Sequence, residues 1–213
     1  MLLSAYLFFE FLAFIISVIK YRALKNTPYV YFIPYLFLVL IYEYGTLKNW
    51  FVINHSNLWI SNITLIIFFL FYSVFIRSII KTEKFKEWIK RLIFLSILCS
   101  AANMVFVQGL WNLNTITILF QFAVLIIVTC LYFYELMNFM GKEPQVLKIP
   151  GFWLNTGVLF FCLGQFLFYS SFAYMAYKKN YEYALLHMVL SNIANAILYS
   201  FLTISFLCIR TKN

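Results

Sequence analysis

The chain carries seven acidic residues, all of them glutamate, and three stand in or at the edge of long apolar runs: Glu10 in FFEFL, Glu43 in IYEYG and Glu135 in LYFYELMN. A charged carboxylate at the centre of a membrane helix costs about 2.5–3.5 kcal/mol on insertion scales. One placed there is therefore read first as a ligand, proton or switch group. Glu10 lies nearest the middle of its run, Glu43 near the end of its run, and Glu135 where a run closes beside lysine-bearing sequence. A protonated Glu10 also has a hydrogen to donate to an amide.

Amides are the second chemical feature. The segment SNIANAILYS (191–200) puts two asparagines, two serines and a tyrosine inside the last apolar run. At about 100° per residue, Asn192, Asn195, Tyr199 and Thr203 share one face, with Ser191 at its edge. Similar stripes recur as Tyr6, Glu10 and Ser17; Asn62 and Ser73; Ser96, Ser100 and Asn103; and Gln121, Tyr132 and Glu135. Polar side chains in hydrocarbon turn inward, so these faces define a polar axis. Such an axis serves either as interhelical hydrogen bonding or as a small cavity for a ligand, ion or proton.

Other chemistry lacks its residues. The two histidines, His55 and His187, match no zinc spacing, and no metal or cofactor is expected. GxSxG, HExxH, GxGxxG and Walker sequences are missing, which leaves hydrolase, zincin and nucleotide-binding readings unsupported. Cys99, Cys130, Cys162 and Cys208 lie in separate apolar runs and read as small packing residues. The last run holds no lysine for a retinal Schiff base.

These groups need apolar elements to carry them. Hydrophobic residues make up 64% of the 213 and charged ones 11%, against about 25% charged in soluble proteins, so this is an integral membrane protein. We expect an all-α bundle of seven transmembrane helices forming a single domain, 1–213, with spans near 2–19, 28–47, 59–80, 92–110, 114–134, 152–176 and 183–208. GLWNLNT (109–115) supplies the turn between the fourth and fifth, and Pro34 is expected to kink the second. KTEKFKEWIKR (81–91) reads as a helical extension at the interface, with Glu87 paired to Arg91. Gly157, Gly164 and Ser171 recur every seven residues, a small-residue stripe that admits a neighbouring helix or a second protomer.

With the N-terminus outside and the C-terminus cytoplasmic, only Lys48, Lys178 and Lys179 of the sixteen Lys and Arg residues lie outside. That distribution follows the positive-inside rule and accounts for the net charge of +9, so the basic balance calls for no nucleic acid. Trp50, Trp59 and Trp111 then fall at outer helix ends, and Trp88 and Trp153 at inner ones.

The chain resembles the small seven-helix membrane proteins of Bacteroidetes-type bacteria. The resemblance rests on FFEFL, YRALKNTPYVYFIPYLF, LYFYELMN, PGFWLNTGVLFF and SNIANAILYSFLTISF. In helix count these proteins are similar to the membrane modules of bacterial seven-helix sensors. The resemblance implies an inner-membrane location and attention to Glu10, Glu135, Trp153, Asn155, Asn195 and Tyr199, with Glu135 and Trp153 as cytoplasmic coupling residues. The expected function is a non-enzymatic, receptor-like or accessory signalling protein that works through a separate cytoplasmic or membrane partner. A small transporter or channel, proton-coupled through Glu10, is the alternative.

Overall fold

In hydrocarbon a backbone must satisfy its own polar groups, and an apolar chain does so as helix. The computed structural model describes residues 5–53, 55–139, 146–178 and 181–210, with side chains described for all of these except 5, 139 and 172–188. His187, Lys178 and Lys179 therefore lie outside the described side chains. The helices are α1 (Ala5–Ile19), α2 (Tyr21–Leu24), α3 (Phe32–Leu47), α4 (Leu58–Ile79), α5 (Glu83–Ala102), α6 (Thr115–Phe139), α7 (Pro150–Lys178) and α8 (Tyr181–Cys208). No strand occurs among the described residues.

Six of the elements are long and apolar enough to cross a membrane, which makes this a multi-pass membrane protein. The N-terminal helix is apolar but shorter, with Ala5–Ile19 covering 15 residues. At 1.5 Å per residue that is about 22 Å, less than a hydrocarbon core of about 30 Å.

Successive long helices run up and down. α1 packs on α3 and α8, α8 on α7, α7 on α6, and α6 on both α4 and α5. One end of the bundle holds the turns at 48–57 and 108–114, and the other holds the connections at 20–31, 80–82 and 146–149. We call these the turn end and the basic end.

Pro34 does not kink a helix midway. A 3-10 turn, Pro28–Tyr31, leads into α3, and Pro34 falls in the first turn of that helix, where its missing N–H would have had no intrahelical partner. α5 takes up residues 83–91 of the 81–91 segment, with Lys81 and Thr82 before it, and its ion pair joins Glu83 to Lys86 at 2.7 Å rather than Glu87 to Arg91. α5 ends in a π turn, Asn103–Val107, and Gly109 (φ +78°) reverses the chain.

The basic half has an aromatic core. Phe32, fully buried, meets Phe71 at 4.8 Å, Phe75 at 4.9 Å and Phe206 at 5.6 Å between ring centroids, joining α3, α4 and α8 edge to face. Nearby, Tyr35 stacks on Phe71 at 3.8 Å with the rings 3° from parallel. Beside that stack, residues of α3 and α4 line an apolar groove of about 660 Å³ that includes Pro34, Leu38, Ile67 and Val74.

The small-residue stripe is used within the chain. A Cβ added at Gly157 would sit 2.9 Å from Phe201 Cβ and 3.3 Å from the Leu198 carbonyl oxygen, whereas one at Gly164 would meet Ala194 Cβ at an ordinary 3.6 Å. Ser171 donates to the carbonyls of Leu167 and Phe168 in its own helix. Gly157→Ala should therefore lower stability by about 1–3 kcal/mol through overpacking against α8. Gly164→Ala should leave it unchanged or slightly raised, and thermal unfolding of both variants in nanodiscs checks the contrast.

Candidate functional site

Near the turn end, the faces of α3, α4, α6, α7 and α8 enclose a cavity of about 210 Å³. α3 contributes Tyr35, Tyr42 and Glu43, and α4 contributes Ser61, Thr64, Leu65 and Phe68, residues spaced at i, i+3, i+4 and i+7 on one helix face. Phe122 enters from α6, Gln165 and Tyr169 from α7, and Ser191, Asn195 and Tyr199 from α8. Of the polar residues that SNIANAILYS supplies, Ser191, Asn195 and Tyr199 thus face a cavity, while Asn192 and Ser200 do not line it.

Carboxylates dominate its electrostatics. Tyr6 of α1 donates its hydroxyl to Glu43 Oε2 at 2.8 Å, tying the start of α1 to the end of α3. Glu10, one turn further along α1, has no exposed surface, and neither of its carboxylate oxygens has a hydrogen-bond partner. Glu10 does not line the cavity, but it interacts electrostatically with Glu43, Tyr35 and Tyr199, which do. Of the sequence-derived residues, Glu43, Asn195 and Tyr199 share one cavity.

The hydrogen-bonding capacity of the lining is only partly used. Tyr42 and Ser61 hydroxyls lie 3.1 Å apart, Gln165 Nε2 donates to Ser191 Oγ at 3.3 Å, and Asn195 Nδ2 donates to the Ser191 carbonyl at 3.0 Å. Asn195 is half-buried, and among the described residues no donor is bonded to its carbonyl oxygen.

Several other members of the expected axis are structural. Asn103 Nδ2 donates to Gln108 Oε1 at 2.8 Å and to Thr117 Oγ1 at 2.9 Å, closing the π turn against α6. Gln121 Nε2 donates to Ser100 Oγ at 2.9 Å, joining α6 to α5. Asn155 is fully buried in α7 and donates to the Gly151 carbonyl of its own helix at 2.8 Å. Asn192 is half-buried and does not line the cavity. Asn62 donates to the Leu110 and Asn112 carbonyls and accepts from the Asn114 N–H, so it holds the 109–115 turn.

Glu135 and Trp153 have structural partners at the basic end. The Glu135 carboxylate accepts the backbone N–H groups of Lys81 at 2.8 Å and Thr82 at 2.6 Å, immediately before α5. Those amides precede the helix, where a carboxylate is also favoured by the helix dipole. Trp153 donates its indole N–H to the Leu147 carbonyl at 2.8 Å and stacks on Phe201 at 5.6 Å, pinning the 146–149 connection to α7 and α8.

Tyr42, Ser61, Thr64, Gln165 and Tyr169 line the cavity without having been singled out by sequence. The α4 spacing of Ser61, Thr64 and Phe68 was the available signal, and it was masked by Asn62, which points to a different task. Comparison with known proteins gives no match: no family model, no curated protein and no solved structure is significantly similar to the chain.

Truncating Glu135 strands two backbone amides beside α5, and Glu135→Ala should destabilise the protein by about 1–3 kcal/mol. Gln121→Leu, which removes one interhelical bond, should cost only about 0.6 kcal/mol. Chemical or thermal unfolding in one lipid composition ranks the two variants.

Proposed function

We propose that this protein is a receptor-like, non-enzymatic protein of the bacterial inner membrane. In this reading seven helices cross the bilayer, the N-terminus and the turn end face outward, and the cavity beside Glu43 holds a small ligand. The observation that carries the reading is the cavity itself: about 210 Å³ lined by a carboxylate, hydroxyls and amides whose hydrogen-bonding capacity is partly unspent. Nucleophilic catalysis would need a nucleophile and base in hydrogen-bond reach, and among the described residues the bonds of Tyr42, Ser61, Gln165, Ser191 and Asn195 supply no such pair.

Signalling then follows from differential affinity. A ligand that binds one packing of α1, α3 and α8 better than another shifts their populations, and only that difference is transmitted. The Tyr6–Glu43 bond joins α1 to α3 at the cavity edge and is the contact that a ligand competing for Glu43 would alter. A separate cytoplasmic or membrane partner would read the change at the basic end.

Glu10 favours a second reading, a small proton-coupled carrier, because a buried intramembrane carboxylate without a hydrogen-bond partner suits a proton relay. Accessibility and flux separate the possibilities. In sealed vesicles, Ser61→Cys should react with a small water-borne methanethiosulfonate far faster than the buried native Cys162 does. Failure of Ser61→Cys and Asn195→Cys to react would remove the ligand-cavity reading. Reaction together with solute flux into proteoliposomes would transfer the assignment to a carrier.

A further inference from the structure

We propose that the ligand of this cavity is a small organic ammonium ion, a primary amine or a methylated ammonium; this inference rests on the ligand-cavity reading above. The first argument is charge. Glu43 accepts one hydrogen bond, from Tyr6, and Glu10 accepts none. Among the described residues the sole salt bridge, Glu83–Lys86, is on α5 at the basic end, so neither carboxylate has a described cationic partner within ion-pair distance. Buried carboxylates are retained where they meet a cation, a proton or a metal, and no group of three ligating side chains suited to a metal occurs among the described residues.

The second argument is the aromatic wall. Phe68 lies 5.0 Å from Phe161 and 6.3 Å from Phe122, and Phe122 lies 6.1 Å from Tyr169, between ring centroids. With Tyr42 and Tyr199 these rings line the cavity beside Glu43. Their negative π faces attract a cation that has shed its water, and such aromatic cages are the recurrent solution for alkylammonium recognition.

The third argument concerns size and what is missing. About 210 Å³ is below the usual range of about 300–1,000 Å³ for drug-sized ligands, so the occupant has few heavy atoms. Among the described residues of the lining there is no Lys, Arg or His, so none of them gives a counter-charge to a phosphate, a carboxylate or the acid end of a zwitterionic amino acid. Ser61, Thr64 and Asn195 provide oxygens for ammonium N–H groups. A bare alkali cation would leave the aromatic wall without a use.

Calorimetric titration of the intact protein in nanodiscs with methylammonium, tetramethylammonium, neopentyl alcohol, glycine and sodium chloride tests the assignment. At least one ammonium ion should bind saturably and about tenfold or more tighter than neopentyl alcohol, the neutral counterpart of tetramethylammonium. Glu43→Gln should abolish that preference, Tyr199→Leu should weaken binding, and Glu83→Gln at the far end should change nothing. Each variant is accepted only if its unfolding temperature shows an intact fold. Neopentyl alcohol or glycine binding as tightly as the ammonium ions, or sodium alone displacing them stoichiometrically, would overturn the ammonium class. Absence of ammonium binding while Ser61→Cys still reacts with water-borne reagent would also overturn it, yet leave the cavity reading standing; loss of both would remove the two together.

Discussion

Every polar group in a lipid-embedded chain must find its partner inside the chain, and this requirement sorts the polar residues of the bundle into two kinds. Most satisfy the requirement locally or across one helix contact. Asn62 holds a turn, Asn103 closes the π segment, Gln121 bridges α5 and α6, and Glu135 receives two amides before α5. Buried side-chain atoms without a described partner remain at several places, among them Tyr72, Ser73, Ser96, Asn114 and the oxygens of Asn103 and Asn155. Glu10 differs from these in being a carboxylate with neither oxygen bonded among the described residues, and Glu43 in facing a cavity.

The two halves of the molecule are built differently. At the basic half, aromatic rings from α3, α4 and α8 interlock around Phe32, and Trp153 fixes the loop below. Gly157 lets α7 and α8 approach closely at that level. Towards the turn end α3, α4, α6, α7 and α8 line the cavity, where Ser61, Thr64, Gln165, Ser191 and Asn195 stand among the rings of Phe68, Phe122 and Phe161.

Much of the architecture was legible in the sequence because the signals are cumulative. Apolar runs of membrane length, the 109–115 turn and the one-sided stripe on α8 each follow from many residues at once. Individual polar residues were less legible. Periodicity places Asn103, Gln121 and Asn195 alike on inward faces, yet whether such a face meets a neighbouring side chain or a void depends on helix separation, which no single helix encodes. Glu135 illustrates the same limit: its partners are backbone amides 54 and 53 residues away in the chain, invisible to any local pattern. Pro34 was expected as a kink within a span for a different reason: the 3-10 turn Pro28–Tyr31, which leaves Pro34 in the first turn of α3, has no signature in the apolar run.

Tyr35 lines both the polar cavity and the apolar groove between α3 and α4, with its ring flat on Phe71. The partition between the carboxylate-bearing site and the acyl chains of the bilayer is thus about one aromatic ring thick. An acyl chain lying in that groove would be separated from the carboxylate-bearing cavity by that ring alone and would set part of the dielectric around it. The electrostatic surroundings of Glu43 are consequently a joint property of the polypeptide and the solvent that fills the groove, and detergent and bilayer are two different solvents.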